Sequence, residues 1–152
     1  MCNAYASLME HLETDGVKFQ SHAESQSVMA VFDSDQGSYS LLGSVDEEDN
    51  LLQFFAIAPI RVPVGSRPGV GEAIVRANWG LKVGKFEMDH DSGRLHFQVA
   101  HVFSDGGFSH ELVHRLVHTA LAMLDRYLPA IMSVIYGNDE PKEAVCRVEA
   151  LA

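Results

Sequence analysis

The chain has 152 residues, 47% of them hydrophobic, and carries 21 acidic side chains against 11 basic ones, for a formal charge of −10. A chain of this length buries roughly two-thirds of the surface its unfolded form exposes, enough for one core without a disulfide or metal staple. The acidity counts against nucleic acid as a partner, because phosphate binding rests on lysine and arginine. A membrane span is excluded as well: no apolar run reaches the ~20 residues required, and even Leu121 to Ile135 is broken by Asp125, Arg126 and Pro129.

The first element in chain order is a short helix. Tyr5, Leu8, Met9 and Leu12 recur at three- and four-residue spacing, and Gly16 follows at a C-cap position. Three stretches rich in β-branched and aromatic residues come next: Val17 to His22 with Val28 to Asp33, then Tyr39 to Val45, then Leu51 to Ile60. The Asp33–Gly37 segment and the acidic run Asp46–Asp49 ending in Asn50 supply turn residues between them, which predicts an antiparallel meander of three or four strands.

Helical spacing returns at Val70, Ala73, Ile74, Ala77 and Leu81, with Ser66 as a candidate N-cap. Period-two alternation over Lys85–Met88 and Leu95–Phe103, around a turn ending in Gly93, predicts a second hairpin. A long amphipathic helix then starts at Ser109 and ends at Gly137, with Val113, Leu116, Val117, Ala120, Leu124, Tyr127, Ile131 and Ile135 on its apolar stripe. The fold class is therefore α+β, with helices grouped on one face of an antiparallel sheet. Residues 1–137 form this single domain, and 138–152 read as a polar C-terminal tail.

The sharpest chemical motif is His110-Glu111-Leu112-Val113-His114, which matches H-E-x-x-H, the pattern that sets two zinc ligands on one helix face. His118 continues the row, and Glu111 would serve as the base of a zinc-dependent hydrolase. Against that reading, Ser109 puts the motif in the first helical turn, and His114 and His118 lie to one side of the apolar stripe. Val117 and Ala120 also replace the glycine and third histidine of the extended zinc signature. Exposed helix histidines are the expectation, with no metal, no cofactor and no catalytic residue.

Cys2 and Cys146 form no CxxC or Cys/His pattern, and Met1 is not followed by a basic segment leading into an apolar one, so a reduced, cytoplasmic setting is expected. The glycine-rich stretch Gly65–Gly71 has neither the G-K-[ST] ending nor the G-x-G-x-x-G spacing of a phosphate cradle. A small-ligand sensor has no motif to support it.

Apolar surface remains to be placed. Leu51–Ile57 is apolar at both parities, so such a strand needs cover on both faces. Trp79, on the flank of the second helix, is either a core or rim residue or an anchor for a partner.

From Val70 to Gly137, the runs Arg76-Ala77-Asn78-Trp79, Gly84-Lys85-Phe86-Glu87-Met88-Asp89, Gly93-Arg94-Leu95-His96-Phe97 and Leu124-Asp125-Arg126-Tyr127-Leu128-Pro129-Ala130-Ile131 resemble the YbjN family of bacterial sensory transduction regulators. The resemblance implies a fold similar to type III secretion chaperones, α-β-β-β-α-β-β-α, a homodimer, and an adaptor or chaperone-like role. It brings no catalytic residue, and the histidines beside Glu111 do not belong to its pattern. The resulting expectation is a non-enzymatic module that binds a protein partner through Leu52, Phe54, Arg76, Asn78 and Trp79.

Overall fold

The computed structural model describes residues 3–151. Cys2 lies outside them. Helix α1 (Ala4–Thr14) starts at Asn3, whose side chain accepts from the backbone N–H groups of Tyr5 and Ala6, and ends at Asp15 and Gly16, the latter at φ +73°. Strands β1 (Phe19–His22), β2 (Ser27–Ser34), β3 (Gly37–Asp46) and β4 (Leu51–Arg61) follow, so the first β-rich stretch is two strands joined by a tight turn.

A short 3-10 turn (Val64–Ser66) leads into α2 (Arg67–Asn78), then β5 (Lys85–Met88), β6 (Arg94–Val102) and the 27-residue α3 (His110–Tyr136). Ser109 caps α3 as expected, its hydroxyl accepting from Leu112 N–H at 3.1 Å. Ser66 does not cap α2. It makes no side-chain bond there, and Pro68, whose ring fixes φ, supplies the helix start instead.

The six strands form one antiparallel sheet in the order β1-β2-β3-β4-β6-β5, in which α2 carries the chain from β4 to the far edge before β6 returns between them. The register aligns Val28, Gly43, Phe54 and Val99 in one row and Met29, Leu42, Phe55 and Gln98 in the next. Side chains alternate between faces along a strand. The first row joins the core with the apolar stripes of α1, α2 and α3, and the second lies half-buried on the opposite face, where no helix packs among the described residues. Leu51–Ile57 thus carries apolar side chains on both faces, as its composition predicts, with helices over one of them.

The core-facing alternates of that strand are Leu52 and Phe54, both fully buried. Gly43 makes room for Phe54 across the β3–β4 pair: a Cβ there would sit 2.8 Å from the phenyl ring. Polar bonds tie the layers together. Tyr5 donates to Ser27 O (2.9 Å), and Tyr39, 1% exposed, donates to Asp125 on α3 at 2.6 Å. Burial, and then the Asp125 carboxylate, push the Tyr39 phenol up to about 12, so it stays a donor across the physiological range.

Residues 138–152, expected as a polar tail, instead hold a fourth helix, α4 (Pro141–Glu149). Ala144, Val145 and Val148 are buried in it, and it packs on both α2 and α3. Tyr127 of α3 donates to Glu149 at 2.8 Å, fixing its far end. An apolar stripe only three residues wide within a charged segment is enough, because small side chains let the helix approach closely.

Candidate functional site on the flank of helix α2

Helix α2 buries Val70, Ala73, Ile74 and Ala77, which recur every three or four residues. Val75 and Trp79, one turn apart on another side, are 69% and 88% exposed, and Val83 in the following loop is 51% exposed. Arg76 lies beside them and pairs with Glu72 at 2.8 Å, an exposed i,i+4 contact worth about 0.3–0.5 kcal/mol. Exposed apolar side chains, edged by charge, thus mark the C-terminal end of α2 and the loop that follows it.

The loop behind the patch is fixed by Asn78. Its side-chain amide donates to Phe86 O (3.1 Å) while its side-chain carbonyl accepts from Phe86 N–H (2.8 Å), so one side chain occupies both backbone groups of an edge-strand residue. Replacing it with alanine leaves both unpartnered, and Asn78→Ala is expected to cost about 1–3 kcal/mol in urea unfolding. Wild-type stability in that variant would contradict the clamp. Behind it, Phe86 packs edge-on against Phe97 and Tyr127, with ring centroids 4.8 and 5.5 Å apart.

Of the five residues predicted to meet a partner, the structure therefore brings Arg76 and Trp79 to one surface. Asn78 is a positioning residue for that surface, and Leu52 and Phe54 belong to the core. Their assignment fails because Leu51–Ile57 is apolar at both parities, and a shift of one residue exchanges every side chain between faces. Val75 and Val83 were missed, although Val75 stands visibly off the buried stripe of α2.

The H-E-x-x-H segment makes a different structure. Asp15, at the end of α1, accepts from both His110 (Nε2, 2.8 Å) and His114 (Nδ1, 3.1 Å). Each imidazole thereby commits one ring nitrogen to tying α1 to α3, while Nδ1 of His110 is buried with no hydrogen-bond partner among the described residues. Glu111 has an 81% exposed side chain and reaches Arg115 at 4.0 Å instead of joining the histidines. His118 stacks on His114 at 5.8 Å. Among the described residues, no three His, Cys, Asp or Glu side chains are placed to hold a metal ion.

Partial burial works to raise the Asp15 carboxyl, but its contacts with His114 and His110 outweigh this and hold it below its ordinary value of 3.8. A depressed carboxyl contributes stability above its unfolded-state value, and that contribution is lost as pH falls through the folded-state value. Asp15→Asn is thus expected to flatten the stability-versus-pH curve below about pH 4. An acid limb parallel to that of the wild type would contradict the α1–α3 clamp.

Comparison with known proteins bears on the chain as a whole. The profile of the YbjN family, described as "Putative bacterial sensory transduction regulator", matches residues 5–132. A search of curated proteins finds no match. A crystal structure of YbjN from E. coli, described as "a putative transcription regulator", superposes with a TM-score of 0.57 at 17% identity, over 88% of this chain and 90% of that one. At that identity the superposition establishes a shared α+β fold. No helix among the described residues is long and apolar enough to cross a membrane. With its profile running from α1 into α3 and its fold shared, the chain belongs to the YbjN family of bacterial regulators.

Proposed function

We propose that this protein acts as a non-enzymatic regulatory adaptor, chaperone-like in mode, that binds another protein through Val75, Arg76, Trp79 and Val83 and works as a homodimer in the cytoplasm. The observation that carries this reading is Trp79. Trp79 is 88% exposed, one helical turn after the exposed Val75 and four residues before the exposed Val83, and exposed apolar groups rimmed by charge are the signature of an interaction surface. Tryptophan and arginine are also the side chains that most often carry binding energy at interfaces.

The family description is of a regulator and names no reaction. The E. coli neighbour's description concerns transcription. With a charge of −10, this chain is poorly suited to touching DNA itself, so any effect on transcription would pass through a protein partner. Light scattering on the purified protein tests the assembly: a mass near twice the 16.7 kDa of one chain is expected, and a monomer at tens of micromolar would overturn the homodimer.

A further inference from the structure

The sheet face turned away from the helices is left uncovered among the described residues. Its outward row Met29, Leu42, Phe55 and Gln98 is flanked by a second, Val31, Ser40, Ile57 and His96. Met29, Leu42, Phe55 and Ile57 are half-buried yet stand apart from the core cluster, sheltered by their neighbours across the strands. Neither row carries a lysine, arginine or carboxylate before the edge strand β5, where Lys85 and Glu87 stand and Glu87 bonds His96 at 3.0 Å. Asp33 and Asp46, the outward carboxylates of β2 and β3, lie toward the ends of those strands.

A chain in which 21% of residues are charged, with a net charge of −10, thus keeps charge off the middle of one face. Such a face offers no complement to a strongly acidic or basic partner. It does suit a second copy of the chain, because two copies at −10 repel wherever their carboxylates approach and meet at least cost where none stands. The size agrees. Strands β2, β3, β4 and β6 run 8, 10, 11 and 9 residues, and at ~3.3 Å per residue and ~4.8 Å per strand they cover roughly 600 Å² in plan. That is on the scale of the about 800 Å² each partner gives to a standard interface.

We propose, on the footing that the protein is a homodimer, that two copies pair through this face, sheet against sheet about a two-fold axis, with Leu42, Phe55 and Ile57 at the centre of the contact. Sheets packed in this way interdigitate their inner side chains at about 10 Å separation, and a two-fold contact sets the same uncharged patch upon itself. The helices then lie on the two outer sides of the dimer, so both α2 flanks stay open to another protein.

Ser40, outward and half-buried in the second row, provides the test. In sedimentation at graded dilution, Ser40→Asp and Ser40→Lys should each raise the dimer dissociation constant about a hundredfold or more, since both copies then bring an unpaired charge of one sign into the contact. An equimolar mixture of the two should recover the dimer, which also shows that both variants fold. Trp79→Asp should leave the dimer intact, and added salt should tighten the wild-type dimer by screening the repulsion between copies. A wild-type dimer that survives both Ser40 variants, a mixture that stays monomeric, dissociation by Trp79→Asp, or loosening by salt overturns this contact while leaving the homodimer standing. A wild-type monomer overturns the homodimer and the contact with it.

Discussion

Phe54→Ala is expected to lower the unfolding free energy by about 3–5 kcal/mol, while Trp79→Ala changes it by no more than about 0.5 kcal/mol. Both residues are large aromatics in stretches that read from sequence as partner surface, and their surroundings are opposite. Phe54 is 0% exposed, held between Gly43 and Val28 on one side and the helix layer on the other. Removing its ring leaves a cavity that a sheet held on both sides by ladder bonds cannot collapse to fill. Trp79 is 88% exposed, so its ring has little in the monomer to lose. Guanidinium titrations of both variants measure the difference. Comparable losses would mean that Trp79 is packed and unavailable, and the binding surface would have to be sought elsewhere.

Removing residues 139–152 is expected to destabilise the domain, because the apolar surface that Ala144, Val145 and Val148 and the faces of α2 and α3 bury against one another is returned to water. Val145 and Val148 are 3% and 7% exposed and Ala144 is 1% exposed. The deletion also strips the face of α2 and α3 that α4 covers. Tyr127, whose phenol is raised to about 12 by burial and then by its bond to Glu149, loses that bond. The truncated chain should bind hydrophobic dye more strongly and unfold earlier in denaturant. Unchanged stability would mean that α4 is not part of the domain. Because α4 packs on α2, the same deletion should also weaken the partner binding proposed at Trp79, although none of the proposed contact residues is removed.

Much of the fold could be read from periodicity and turn chemistry. The stripe of α3 is long and clean, the Ser109 cap and Gly137 stop are local signals, and Gly93, at φ +77°, sits in a turn that needs left-handed backbone. Helix α4 was not legible because its apolar stripe is three small residues in a charged segment, and what makes it a helix is the surface of α2 and α3 on which it docks. The candidate site was half legible. Trp79 and Arg76 stood out by type, whereas the choice between Leu52/Phe54 and Leu51/Phe55/Ile57 depended on which parity the helices covered, a tertiary fact that a strand apolar at both parities does not disclose.

The H-E-x-x-H segment shows why spacing alone is a weak guide to chemistry. The i,i+4 geometry does bring His110 and His114 to one side of the helix, as a metal site requires, but the group waiting there is the Asp15 carboxylate at the end of α1. The pair serves packing between two helices, and Glu111 points elsewhere.

The central claim, that the α2 flank is where this regulator meets another protein, is tested most directly by placing a photo-crosslinking amino acid at position 79 in the living host. The same residue at exposed Glu24, in the β1–β2 turn, serves as the control. A discrete, reproducible protein adduct from position 79, absent from position 24 and lost when Val75→Asp is added, is the predicted result. An adduct pattern at 79 indistinguishable from that at 24 would contradict the claim.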